Sequence, residues 1–315
     1  MANFEVIRAA SPERKPCSCM KTAFEFIALA AIWGGSFLLT RIASLDVGPW
    51  VAAAARVLIG ALCLLPWVIW QGQLPAMRKA LGPVLLVGVF NAGIPFALYS
   101  YAVLHISTGL SAILNATTPL FGALVAWWWL QDKPPVSKVW GLVIGFAGVS
   151  VLSWQKVSAG SSQAAWAILA CLCATLCYGI SASFTKKYLQ AVPPMATAAG
   201  SLLGACLALA VPAVLTWPDH APQAASWAAM LAAGAVCTGL AYVMFFRLIA
   251  RTGPSKTLTV TFLIPVFALL YGSTLLGETI TPWMMGGGVV ILVGVSLATG
   301  LLAWPKASAA VTSRP

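Results

Sequence analysis

Pro95, Pro119 and Pro265 each stand four residues after a polar residue, respectively Asn91, Asn115 and Thr261. Within a helix, proline removes the hydrogen bond to the carbonyl four positions back. Each of these carbonyls is thereby freed beside an amide or hydroxyl side chain. The chemistry on offer is hydrogen bonding by uncharged groups, which suits a zwitterion or a neutral metabolite. A phosphate would call for converging Arg and Lys. Two readings stay open: the polar side chains heal their own kinks, or they line a cavity.

Helical spacing widens each position into a face. Asn91, Pro95 and Tyr99 share one side of a helix, as do Ser111, Asn115, Thr118 and Gly122. Thr238, Tyr242 and Phe245 form a third such face, and Thr257, Thr261 and Ile264 a fourth. Trp33 lies in mid-run beside Gly34 and Gly35, whereas the other 13 of the 14 tryptophans lie near the ends of apolar runs. End tryptophans are interfacial anchors. Trp33 and the similarly placed Tyr178 suit either core packing or stacking on an apolar or aromatic ligand.

Charge is scarce inside the runs. Arg56 sits about two turns into one of them and has two readings. It binds a substrate carboxylate, or it is structural and pairs with Asp46. Arg41 is expected to snorkel, and Glu25 and Glu278 to be solvated at run ends. No carboxylate falls at mid-run, which disfavours proton coupling through a buried Asp or Glu. His105 reads as interfacial. Cys171 and Cys173, two positions apart, point to different sides of a helix, and no His or carboxylate is near them or Cys177, so no metal site and no cofactor are expected.

Composition says what must position these groups. The 315 residues are 60% hydrophobic and 8% charged, with a mean hydropathy of +0.91. A soluble domain carries about 25% charged residues. The net charge of +11 is spread without a patch, so nucleic acid is not a partner. The partner is the lipid bilayer. Ten apolar runs are long enough to cross it, near 22–44, 50–70, 81–104, 108–130, 138–154, 164–185, 195–217, 225–248, 256–277 and 283–304. Residues 1–21 read as an N-terminal tail with no signal peptide, 155–163 as an outer loop, and 305–315 as a C-terminal tail. Placing the N-terminus in the cytoplasm puts 15 of the 18 Lys and Arg residues on that side, and both termini with them.

The chain also repeats itself. At an offset of 146, Gly88, Gly93, Pro119, Phe121, Asp132, Gly141 and Gly148 fall on Gly234, Gly239, Pro265, Phe267, Glu278, Gly287 and Gly294. At 145, Trp33-Gly34, Ser36, Thr40 and Arg41 fall on Tyr178-Gly179, Ser181, Thr185 and Lys186. Residues 22–154 and 164–304 are therefore two five-span repeats. An odd number of spans inverts the second relative to the first. The expected fold is an all-α integral membrane protein of ten transmembrane helices in two inverted repeats, with a site near the midplane as in secondary transporters.

The runs Ala31-Ile32-Trp33-Gly34-Gly35-Ser36-Phe37 and Arg56-Val57-Leu58-Ile59-Gly60 resemble the EamA type of the drug/metabolite transporter superfamily. So do Leu130-Gln131-Asp132 with Gly141 and Gly148, and Leu276-Gly277-Glu278 with Gly287 and Gly294. Asp132 departs from the usual Glu. The resemblance implies a ten-span bundle exporting small metabolites, most like the exporters of amino acids, including aromatic ones. An intramembrane enzyme is disfavoured, because the apolar runs offer no acidic pair and no His pair.

The expectation is an inner-membrane exporter of amino acids or related metabolites, working by alternating access. The alternative is a multidrug or nucleoside/sugar-type carrier. Trp33, Tyr99 and Tyr178 are expected to stack on the substrate. Asn91, Asn115 and Thr261 are expected to hold its amino group, with Thr118 and Tyr242 completing the wall and Arg56 the open charge. The glycine-rich spans 5 and 10 serve as scaffold or as a homodimer contact.

Overall fold

The computed structural model describes residues 16–158 and 161–302. It is helical throughout, and its helices supply the expected spans. Spans 1 and 2 share the stretch Pro16–Trp70, which turns at Gly48. That residue takes φ 77° and ψ 166°, a region open to glycine, and Pro49 starts the next helix with its preset φ. Span 3 runs Leu81–His105, span 4 Thr108–Leu130, span 5 Val136–Ser158, span 6 Ser162–Tyr188 and span 7 Pro194–Leu215. Span 8 covers Ala224–Thr252, span 9 begins with the short helix Pro254–Leu258 and ends at Leu276, and span 10 covers Pro282–Thr299.

Three boundaries differ from the sequence reading. Helix already begins at Pro16, inside the stretch read as a tail. Span 5 continues to Ser158, and the Ser161 hydroxyl caps span 6 by accepting from Ala164 N–H, so most of the expected 155–163 loop is helical. Residues 159–160 lie outside the described residues. Span 10 stops at Thr299, where Gly300 at φ 77° ends the helix through left-handed backbone. Trp304 and the 305–315 tail, like residues 1–15, lie outside the described residues.

Alternating span direction gathers Arg78, Lys79, Lys133, Lys138, Lys186, Lys187, Arg247 and Arg251 at the end of the bundle where residues 16 and 302 lie. We refer to it as the basic end, and to the other as the far end.

Glycine decides which spans touch. In lipid, helices associate through close packing of small residues. Gly141, Gly145 and Gly294 let spans 5 and 10 meet backbone to backbone, and a Cβ on Gly148 or Gly287 would press on Ile291 or Leu152. This pair packs as scaffold within the chain, while Gly286 on span 10 meets nothing within 4 Å. Gly88 and Gly204 bring spans 3 and 7 equally close. Gly34 lies against Phe267 of span 9, and its counterpart Gly179 against Phe121 of span 4. These two contacts repeat each other, because Phe121 and Phe267 are also counterparts.

Four spans are interrupted, at equivalent places in both repeats. Span 3 carries a wide π-helical turn at Val89–Gly93, and span 8 one at Ala235–Leu240. Span 4 breaks after Asn115 and resumes at Thr118, while span 9 tightens over Thr259–Phe262 and resumes at Ile264. Proline accounts for spans 3, 4 and 9. Span 8 has Ala241 where span 3 has Pro95, and its wide turn was not visible as a proline. There the Thr238 hydroxyl donates to the carbonyl of Ala233 at 3.0 Å, five residues back.

Candidate functional site

The interruptions face one cavity of about 610 Å³ between the repeats. Trp33, Asn91, Tyr99, Asn115, Thr118, Tyr178, Tyr242 and Thr261 all line it, and so does Arg56. The lining runs from Thr40, Arg56 and Tyr99 down to Leu258, Thr299 and Leu301, so the cavity opens toward the basic end. Ser111 and Thr257, which share helix faces with the lining residues, are instead buried away from it. Their hydroxyls donate to the carbonyls of Ser107 and Gly253.

The aromatic wall obeys the internal repeat. Trp33 packs on Phe245 with ring centroids 5.3 Å apart, and Tyr178 stacks on Tyr99 at 6.4 Å and 22°. Trp33 and Tyr178 are counterparts, as are Tyr99 and Phe245. Such pairs leave ring faces and edges toward the cavity for a flat apolar group.

The polar groups are partly committed. Asn115 Oδ1 accepts from the Tyr99 hydroxyl at 3.0 Å. The Asn115 carbonyl, freed by Pro119, accepts from the Thr118 hydroxyl at 2.7 Å. That carbonyl is therefore partly answered by its own chain, with one acceptor lone pair remaining. The Thr261 hydroxyl likewise donates to Leu258 O at 2.8 Å. The Asn115 side-chain N–H₂ is left free of protein acceptors among the described residues, and Asn91 lies beside Tyr242.

Arg56 does not pair with Asp46. Its Nε donates to Thr238 Oγ1 at 3.1 Å, one terminal nitrogen donates to Thr40 Oγ1 at 3.4 Å, and the guanidinium carbon stands 4.0 Å over the Phe96 ring. Asp46 binds elsewhere, to His220 Nε2 at 3.1 Å and to the backbone N–H of Gln223 at 2.9 Å.

The two ends differ. At the far end, Arg41 donates to the carbonyls of Val103 and Ile106 and reaches Glu278 Oε1 at 3.4 Å. Glu278 also accepts from the Thr108 N–H at 2.9 Å and its hydroxyl at 2.8 Å, capping span 4. The expectation that Arg41 snorkels and Glu278 is solvated is thus corrected: capping and charge pairing tie spans 1, 3, 4 and 9 together. The counterparts at the basic end are Lys186 and Asp132, also 3.4 Å apart. They are 61% and 64% exposed, against 27% and 13% for Arg41 and Glu278. Glu25 is not simply solvated either, since Arg251 meets it at 3.0 Å.

Ser36, Phe37, Thr40 and Phe96 line the cavity without having been singled out. The first three follow Trp33 at helical spacing, a signal present in the sequence. Phe96 becomes part of the wall only through the turn of span 3. A second cavity of about 430 Å³, lined by Ser181, Thr185, Lys186 and Ser201, shares Asn91, Tyr242 and Phe245 with the first.

A helical bundle of two five-span repeats, interrupted around a central cavity shut at one end, is the architecture of a membrane transporter. The pattern of the EamA-like transporter family matches residues 20–154 and 165–300, and the chain belongs to that family. Over 287 residues it is 24% identical to the uncharacterized transporter YoaV of Bacillus subtilis (strain 168), covering 89% of this chain and 97% of that one. It is 22% identical to a probable terminal-alkyne amino-acid exporter of Streptantibioticus cattleyicolor, covering 88% and 93%. A solved crystal structure shares the fold with a TM-score of 0.65 at 19% identity, covering 91% of this chain and 99% of that one.

Proposed function

We propose that this transporter exports amino acids or related small metabolites through the central cavity by alternating access. The convergence of the three aromatics and the uncharged amides and hydroxyls on one cavity carries the reading. Trp33, Tyr99 and Tyr178 pack on the substrate side chain. Asn91, Tyr242 and Thr261 supply acceptors for its amino group, and Asn115 and Thr118 shape the wall between them. A similarity to an amino-acid exporter supports the substrate class. A cationic drug would need an acidic lining residue, and the described lining has none.

The protein sits in the inner membrane with its basic end in the cytoplasm, in keeping with its Lys and Arg distribution. The cavity then faces the cytoplasm, ready to load. The two repeats rock against each other to open the far end.

The test is efflux from proteoliposomes preloaded with Phe, Trp, Thr, Met, Lys, Glu, a nucleoside or a cationic dye. We expect amino-acid efflux that Trp33→Ala and Asn115→Ala abolish. Efflux of the dye or nucleoside alone would replace this reading with the multidrug or nucleoside one.

A further inference from the structure

We propose that Arg56 is the carboxylate-binding residue of the cavity, so that the substrate must carry a carboxylate and enters with it leading. The inference rests on the amino-acid reading but goes further, because it names the group recognised and the direction in which the substrate lies.

The argument starts from an uncompensated charge. A guanidinium within the span region is costly unless an anion or an ordered set of dipoles answers it. Among the described residues no carboxylate lines the cavity. Asp46, Glu278 and Glu25 are engaged with His220, Arg41 and Arg251. Arg56 meets only neutral partners, the hydroxyls of Thr238 and Thr40 and the face of Phe96. Those partners fix the plane of the guanidinium and use Nε and one terminal nitrogen. The other terminal nitrogen has no protein acceptor among the described residues. An arginine held in this way presents its fork to a ligand carboxylate.

Position gives the direction. Arg56 stands at the closed, far-end limit of a cavity that opens at the basic end. A carboxylate drawn to it pulls the amino acid in head first, leaving its side chain beside Trp33 and Tyr178. The internal repeat breaks here. Ser201 is the counterpart of Arg56 and lines the second cavity with Ser181 and Thr185, themselves the counterparts of Ser36 and Thr40. One half of the transporter places Arg56 at its pocket, and the other places Ser201 at the equivalent position, where the cation in the lining, Lys186, is already paired with Asp132.

The experiment uses purified full-length protein and four probes of one skeleton: phenylalanine, phenylalaninamide, phenethylamine and 3-phenylpropionate. Each is tested as a competitor of phenylalanine transport in proteoliposomes and, separately, for thermal stabilisation of the detergent-solubilised protein. We expect phenylalanine and 3-phenylpropionate to act at concentrations at least about tenfold lower than the two compounds lacking a carboxylate. Arg56→Gln should erase that preference, raising KM for phenylalanine roughly ten- to a hundredfold, and Arg56→Lys should keep part of it.

Equal potency of the amine and the acid on the wild type overturns the proposal without any variant. So does a preference that survives in Arg56→Gln. If phenylalanine is not transported, phenylalanine is not among the substrates and the competition arm gives way to thermal stabilisation; the amino-acid reading itself fails only if no amino acid of the panel is carried. The proposal then stands or falls on whether 3-phenylpropionate, and not phenethylamine, stabilises the wild type.

Discussion

The Tyr99 hydroxyl donates a 3.0 Å hydrogen bond to Asn115 Oδ1, joining span 3 to the broken point of span 4 within the cavity wall. The same Tyr99 ring stacks on Tyr178 of the other repeat. A residue that helps hold the wall together is thereby also part of the surface presented to substrate.

Tyr99→Phe removes the hydroxyl and keeps the ring. The loss is about 1 kcal/mol at Asn115, or roughly a fivefold rise in KM for transport, with the melting temperature little changed. Transport kinetics alongside thermal unfolding separates the two. An unchanged KM would mean that the hydrogen bond positions nothing the substrate touches.

Glu278 and Asp132 occupy equivalent positions but bear different loads in this conformation. Glu278→Gln weakens the far-end clasp and leaves the Thr108 N–H less well capped. Ser44, 2% exposed near that end, reports it. In a cysteine-free background carrying Ser44→Cys, labelling by a membrane-impermeant maleimide should rise about tenfold in Glu278→Gln. Asp132→Asn should leave it unchanged, since an exposed pair contributes at most about 1 kcal/mol.

Gly294 abuts Gly145 and the Gly141 carbonyl, leaving no room for a side chain. Gly294→Leu should separate spans 5 and 10 and lower the melting temperature by several degrees, an overpacking cost of about 1–3 kcal/mol. Gly286 in the same span has open space at its Cβ position. Gly286→Ala should be neutral or slightly stabilising, since alanine favours helix. A large loss at both positions would show that helix backbone rather than interhelical contact is at stake.

The described lining of the cavity contains no Asp, Glu or His. Efflux from preloaded vesicles should therefore proceed down the substrate gradient without an imposed proton gradient, at a rate changing less than about twofold when one is added. A strict requirement for the gradient would place a coupling carboxylate outside the wall described above.

Much of this was legible because a membrane restricts what a chain can do. Every backbone polar group in lipid must be bonded internally, so an apolar run of about 20 residues means a helix. The offsets of 145 and 146, which superpose Gly34 on Gly179 and Asp132 on Glu278, reveal the repeat without any contact. Helix ends were less legible. Whether the chain continues to Ser158 or stops at Thr299 depends on local caps, Ser161 for one and Gly300 for the other, which hydropathy does not register.

The residues of the wall followed from type and helical spacing, but their partners did not. Arg56 and Asp46 lie ten positions apart and invited pairing. The chain reverses at Gly48–Pro49, and the turn leaves Asp46 with His220 while Arg56 faces Thr238 and Phe96. Arg41 and Glu278 are separated by 237 residues, and only the packing of span 1 against span 9 brings them together. The wide turn of span 8 lacks its proline, so its equivalence to span 3 emerged only in the folded backbone.

By itself the sequence determined a bilayer-spanning helical duplication with a polar, nearly uncharged set of residues at its centre, because hydropathy and helical period are local properties. Only the fold shows how the two ends differ, which freed carbonyls are bonded by their own chain, and that Arg56 has no carboxylate partner among the described residues. Those depend on contacts between spans far apart in the chain, and helix association in lipid is governed by the shape of small-residue surfaces that no single span encodes.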